Sequence, residues 1–299
     1  MSLPYPAAPT QSESRSVLAI PAFRKLWQAM AFSSLGDWLG LLATTALAQQ
    51  LSGGDYAKAN FAIAGVFIAR LLPAVFLGPI AGVIADKLDR RKLMVNCDIL
   101  RTALYISIPI FHNYFWLYTA MILVECITLF WSPAKEASVP NLVPRDKLES
   151  ANQVSLLAAY GTAPVAAALF TFLSLFTSAF NAAFSFNVTA VDLALYANAL
   201  SFAFAAFTIW GLREIPKGAA AKHAAETGII KSLHEGWKAV SGSKLIRGLI
   251  VGMVGAFVAA GAVIGLARTF VGDLGGGEAA YGVLFGAVFT GLAFGIALG

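Results

Sequence analysis

Three charged side chains stand well inside apolar stretches of this chain: Asp37, Arg70 and Glu125. Each lies about ten residues from an end of its stretch, roughly 15 Å deep at 1.5 Å per residue in a hydrocarbon core about 30 Å thick. A charge facing lipid at that depth costs about 2.5–3.5 kcal/mol, so all three must face protein or water. Two acids and one base at one depth can line an aqueous cavity where an acid takes up and releases a proton. For Asp37 and Arg70 a structural ion pair is the competing role. Glu125 has to share the one base with Asp37, which makes it the better proton carrier. Asp98 and Arg101, three residues apart, can pair along one helix face nearer the inner side and read as structural support. The chain carries no catalytic triad, no metal-ligand or haem motif and no Gly-x-x-x-x-Gly-Lys-Ser/Thr phosphate loop. No catalytic residue, metal or cofactor is therefore expected, and a non-enzymatic role is.

The elements that must hold these charges follow from composition. Of 299 residues, 58% are hydrophobic and only 12% charged, with mean hydropathy +0.73. An ordinary soluble domain has about 25% charged residues, so a water-soluble enzyme is excluded and an all-α membrane protein is expected. Eight apolar segments are long enough to cross: roughly 27–49, 60–85, 93–112, 115–131, 152–176, 190–211, 246–267 and 280–299. With the N-terminus inside, seventeen of the 21 Lys and Arg fall on inner segments, and only Lys58 and Arg268 on outer ones. That bias sets an N-inside orientation and accounts for the +5 charge without a nucleic-acid partner. Residues 1–25 read as a cytoplasmic tail and 213–245 as a cytoplasmic linker. Within the linker, Ile230, Leu233, Trp237 and Val240 have helical spacing opposite Lys231, Glu235 and Lys238. This amphipathic helix either lies on the membrane or packs on the protein's own loops. Lys25 leads the first segment as Arg247 leads the seventh, and Gly65-Val66-Phe67 recurs as Gly286-Ala287-Val288 at nearly the same offset. The expected organisation is a six-helix bundle over 26–212 and the first two helices of a second bundle over 246–299, with the chain a fragment of a longer one.

The sharpest local pattern runs from Gly82 through Asp86, Lys87 and Asp89 to Arg90, Arg91 and Lys92. Gly78, Gly82 and Asp86 are four apart and share a helix face. Glycines there permit a close helix approach, and the acid can bind a helix N-terminus or an arginine. The pattern resembles the signature loop of the major facilitator superfamily, with Asp89 where that family has Gly. A second pattern, Pro133-Ala134-x-x-Ala137-x-x-Pro140-x-Leu142-Val143 leading to Ala151-Asn152, resembles the enterobactin-exporter-like branch. Leu35-Gly36-Asp37-Trp38, Leu72-Pro73 and Asp98-x-x-Arg101 are similar to that branch too. Gly161-Thr162-Ala163-Pro164 stands where the antiporter motif has a further glycine.

The resemblance implies a truncated major facilitator fold in a bacterial inner membrane, a monomer when full length. It implies a secondary transporter that exports a small amphipathic solute, drug or siderophore by alternating access. The driving ion would be the proton, with sodium as the alternative. Gly78, Gly82, Asp86, Lys87, Arg90 and Arg91 would form the inner gate, and Asp37, Arg70 and Glu125 would line the path. A different class is also open: actinobacterial chains resembling this one around Gly36-Asp37-Trp38-Leu39-Gly40 carry a thymidylate kinase domain, which here would follow residue 299.

Overall fold

The computed structural model describes residues 17–184, 189–215, 238 and 241–298. The expected amphipathic helix around Trp237, most of the N-terminal tail and the linker from 216 to 237 lie outside the described residues. Nine α-helices and no strand occur among the described residues. They are α1 (Pro21–Leu51), α2 (Tyr56–Lys87), α3 (Arg90–Phe111), α4 (Tyr114–Leu142), α5 (Leu148–Gly161), α6 (Ala163–Phe184), α7 (Ala190–Trp210), α8 (Lys244–Asp273) and α9 (Glu278–Leu298).

The helices begin where capping chemistry allows. Asp55, Asp89, Asn113, Thr189 and Ser243 are N-caps whose side chains accept from a backbone N–H three residues on. α1 has no such cap and starts instead with Pro21 at its first position. α3 ends on His112 in the left-handed region, φ 43°.

Among the described residues, five spans can cross a membrane by length and composition: Tyr56–Gly78, Arg90–Phe111, Tyr114–Leu142, Arg145–Ala182 and Ala190–Trp210. The apolar surface is distributed as lipid requires. Phe61 is 80% exposed, and Ile68, Leu71, Val75 and Phe76 continue the exposed apolar surface along α2. Water would drive such residues inward; lipid does not.

The segment expected as one helix over 152–176 is instead two, α5 and α6, joined at Thr162. Pro164 has no N–H, so the helical ladder cannot run through this point. Two carbonyls at the end of α5 find side-chain donors: Ala158 accepts from Thr162 Oγ1 (2.9 Å) and Ala159 from Trp38 Nε1 (2.7 Å).

α1 packs on α7, α2 on α4, α3 on α7 and α4, and α6 on α9. Buried apolar side chains form two clusters stacked along the bundle. One gathers Leu39, Leu42, Leu47, Tyr105, Leu117, Val124, Leu195 and Phe202. The other gathers Phe23, Leu26, Met94, Trp131, Val139 and Ile209. On α1, α3 and α4 the charged residues fall between the stretches that feed the two clusters, as Asp37, Asp98 with Arg101, and Glu125. The bundle thus has a polar layer across its middle.

Candidate functional site

Asp37, Arg70 and Glu125 come from α1, α2 and α4 and line one cavity of about 260 Å³. Its other walls are Trp38, Leu41, Phe67, Leu71 and Thr128. Trp38 is fixed by its bond to the Ala159 carbonyl near the end of α5 and packs on Phe289, ring centroids 4.4 Å apart. The end of α5 therefore braces the residue beside Asp37. Arg70 Nη1 is buried without a hydrogen-bond partner among the described residues. Its charge acts on Asp37 and Glu125 across the cavity, and no ion pair within 4 Å is formed with either. The cavity is thus two acids facing one base over an apolar and aromatic wall.

Asp98 and Arg101 form a buried ion pair on α3, both side chains fully inaccessible. Trp131 Nε1 on α4 donates to Asp98 Oδ2 at 3.2 Å. The Arg101 guanidinium lies between two rings, 5.0 Å from Trp131 and 4.3 Å from Phe202 on α7. One pair thus ties together α3, α4 and α7.

At the C-terminal end of α2, Asp86 and Lys87 close the helix, and their side chains lie outside the described residues. A Cβ at Gly78 or Gly82 would meet nothing within 4 Å, so the close helix approach expected there is not made by the described residues. Arg90 Nη1 donates to the Ala137 carbonyl (3.0 Å) and Arg91 Nη1 to the Trp210 carbonyl (3.4 Å). Each is a cation at the C-terminal end of a helix, α4 and α7, where the carbonyls point outward and the macrodipole is negative. Asp89, the departure from the family's Gly, has φ −65° and caps α3 through Lys92 N (3.1 Å). The turn needs no glycine because no left-handed residue occurs in it.

Two features of the site were passed over in the sequence. Gly36 and Gly40 bring α1 against α7: a Cβ at Gly36 would strike Ser201 and Asn198, and one at Gly40 would strike Asn198 and come within 3.1 Å of the Tyr105 ring. Asn198 and Tyr105 are fully buried behind this contact. Gly36-x-x-x-Gly40 was the available signal, a small-residue spacing that marks close helix packing. Pro164 within an apolar run was the signal for the break.

The transmembrane secretion effector family matches residues 12–298. Among curated proteins, the chain is similar to the uncharacterized MFS-type transporter YfiS of Bacillus subtilis, 30% identical over 131 residues, which is 44% of this chain and 30% of YfiS. It is similar to macrolide efflux protein A of Streptococcus pyogenes, 25% identical over 136 residues, 42% of this chain and 31% of that protein. It is similar to the lysophospholipid transporter LplT of Pectobacterium carotovorum, 31% identical over 164 residues, 54% of this chain and 36% of LplT. The chain thus spans about a third of the length of the curated relatives it matches. With its apolar helices, its charged middle layer and a family match over nearly its whole length, the chain is a multi-pass membrane protein belonging to the transmembrane secretion effector family of the major facilitator superfamily.

Proposed function

We propose that the chain forms the first bundle, and the start of the second, of a secondary transporter that exports a small amphipathic solute by alternating access, driven by protons. The observation that carries this is the cavity where Asp37, Arg70 and Glu125 meet midway along their helices beside Trp38, Leu41, Phe67 and Leu71. An amphipathic molecule can set a polar or cationic group on the acids and its apolar body on the opposite wall. The relatives named for macrolide efflux and lysophospholipid transport support that class of cargo.

Glu125 is the proton carrier in this mechanism. Ionised, it holds the cationic part of the solute; protonated from the outer side, it lets the solute go. The proton then leaves to the inner side, and the energy is that of the proton moving down its gradient. Gly78, Gly82 and Asp86 present the face on which the inner gate closes. Arg90 and Arg91 hold the loop beside it to the ends of α4 and α7. The N-terminus lies on the inner side.

The test is Glu125→Gln in everted bacterial membrane vesicles, with radiolabelled erythromycin as the macrolide probe. With wild-type amounts in the membrane, pH-gradient-driven accumulation is expected to disappear. Accumulation at the wild-type rate removes Glu125 from the mechanism.

A further inference from the structure

The sequence separates the five charges of the middle layer into a cavity trio, Asp37, Arg70 and Glu125, and a helical pair, Asp98 and Arg101. Their packing does not keep the two groups apart. The Arg101 guanidinium gives only Nη2 to Asp98, while its Nε and Nη1 are buried with no hydrogen-bond partner among the described residues. Its charge acts on Asp37 and on Glu125, and Asp37 in turn acts on Asp98. Tyr105, one turn further along α3, fills the space between. Its ring stacks on Phe202 at 5.5 Å, its hydroxyl sits against Gly40 on α1, and it feels Arg70, Asp37 and Arg101. Among the described residues the neighbouring helices add no further charge to this layer. α7 supplies neutral Asn198 and Ser201 at Gly36 and Gly40, and α5 supplies Tyr160 against Trp38. The thiols Cys97, beside the Asp98–Arg101 pair, and Cys126, beside Glu125, complete the surroundings. Three acids and two bases sum to one negative charge, set between two apolar clusters with Asp98 and Arg101 fully buried and the other three on the cavity. Surroundings so poor in water resist a net charge, so the unit is most stable with one cation bound.

We propose that Asp37, Arg70, Asp98, Arg101 and Glu125 act as one unit that holds a single exchangeable proton, and that Arg101 is its positioning residue. Bound to Asp98 and clamped between Trp131 and Phe202, Arg101 fixes a positive charge where both cavity acids feel it. It thereby sets how tightly they hold the proton. On release the proton goes to cavity water and the unit is left with one negative charge, which the cationic group of a solute can neutralise. One proton out for one positive charge in makes the layer neutral in both loaded states, protonated and solute-bound. This rests on the proton-coupled reading above and adds to it a stoichiometry and a residue.

The test is pH-difference infrared spectroscopy on the purified full chain in detergent micelles, which reads protonated carboxyls directly and needs no solute. The wild type is expected to show a buried carboxyl that titrates, lost in Glu125→Gln. Replacing the pair as a neutral unit, Asp98→Asn with Arg101→Gln, is expected to displace that titration by about one pH unit or more. Arg101→Lys, which keeps the charge, is expected to return it towards the wild-type position. An unchanged titration in the folded, pair-replaced chain overturns the proposal and leaves the proton-carrying cavity standing. A wild type with no titrating carboxyl overturns both. If the pair-replaced chain does not fold, Trp131→Phe removes the donor to Asp98 and keeps all five charges. A displaced titration then supports the single unit, and an unmoved one counts against it.

Discussion

Gly36 and Gly40 on α1 share their four-residue spacing with Gly78 and Gly82 on α2, yet the two pairs meet opposite surroundings. A Cβ at the first pair would run into Asn198, Ser201 and Tyr105; at the second it would meet nothing within 4 Å among the described residues. The first pair is a seam, closed by α7 and carrying Asp37 into the interior. The second is a face without a described partner, at the end of α2 that carries Asp86. Small-residue spacing therefore tells which side of a helix can be approached closely, and says nothing about when or by what. A permanent seam uses the close approach for packing. A face that opens and closes leaves it unused in one state.

The largest expected effect lies in the seam. Gly40→Leu forces a branched side chain onto Asn198 and the Tyr105 ring, neither of which has room to move, since both are fully buried. Overpacking of this kind costs about 1–3 kcal/mol, and the loss should appear as a lower melting temperature and yield in detergent. Gly78→Leu is the matched control. Its Cβ meets no described residue within 4 Å and it improves helix propensity, so stability should stay within about 0.5 kcal/mol of wild type. Equal stability losses at both positions would erase the distinction between seam and open face.

The next effect separates stability from transport. Gly82→Leu should melt like the wild type, because no described residue lies within 4 Å of its Cβ position. It should nevertheless slow erythromycin accumulation in everted vesicles, because the bulk stands on the face where the inner gate is proposed to close. A variant that is both stable and fully active would take the inner end of α2 out of the gating mechanism.

Much of this contrast was legible in the sequence, and the reason it was not wholly so is geometric. The helices were legible because lipid demands long apolar runs. Asp37, Arg70 and Glu125, counted to one level along three separate helices, do line one cavity. Asp98 and Arg101 fall between the two apolar clusters, beside the one that holds Met94 and Trp131. Counting along one helix could not give the neighbours a charge meets, such as Trp131 and Phe202 for Arg101. Partner identity was not legible either. Nothing in Gly36-Asp37-Trp38 names Asn198 or Ala159, which are more than a hundred residues away and reach α1 only through tertiary packing. The break at Thr162 was written in Pro164 but outweighed by an apolar run long enough to be one helix.

The smallest expected effect concerns the N-terminal end of α2, and it asks whether that end is fixed while the face of Gly78 and Gly82 has no described partner. Asp55 caps α2: its Oδ1 accepts from the Lys58 backbone N–H at 3.0 Å, and Lys58 Nζ lies 3.5 Å from Oδ2. The backbone N–H holds this carboxyl below the usual carboxylate range; partial desolvation acts weakly the other way, and the charge of Lys58 adds to the lowering. A depressed folded value means that the stabilisation is present at neutral pH, above the unfolded value of about 3.9, and is lost as the pH falls through the lower folded value. Asp55→Asn keeps an N-cap acceptor and cannot titrate. The ratio of amide exchange rates at Lys58 between wild type and Asp55→Asn, each pair compared at the same pH so that intrinsic rates cancel, should favour the wild type near neutrality. That advantage should shrink as the medium is acidified past the carboxylate range. A ratio that stays flat with pH would mean that the charge of Asp55 does not anchor α2. The N-terminal end of α2 would then be held by backbone geometry and by the Tyr56 hydroxyl, which reaches Asp273 at the end of α8 at 3.4 Å.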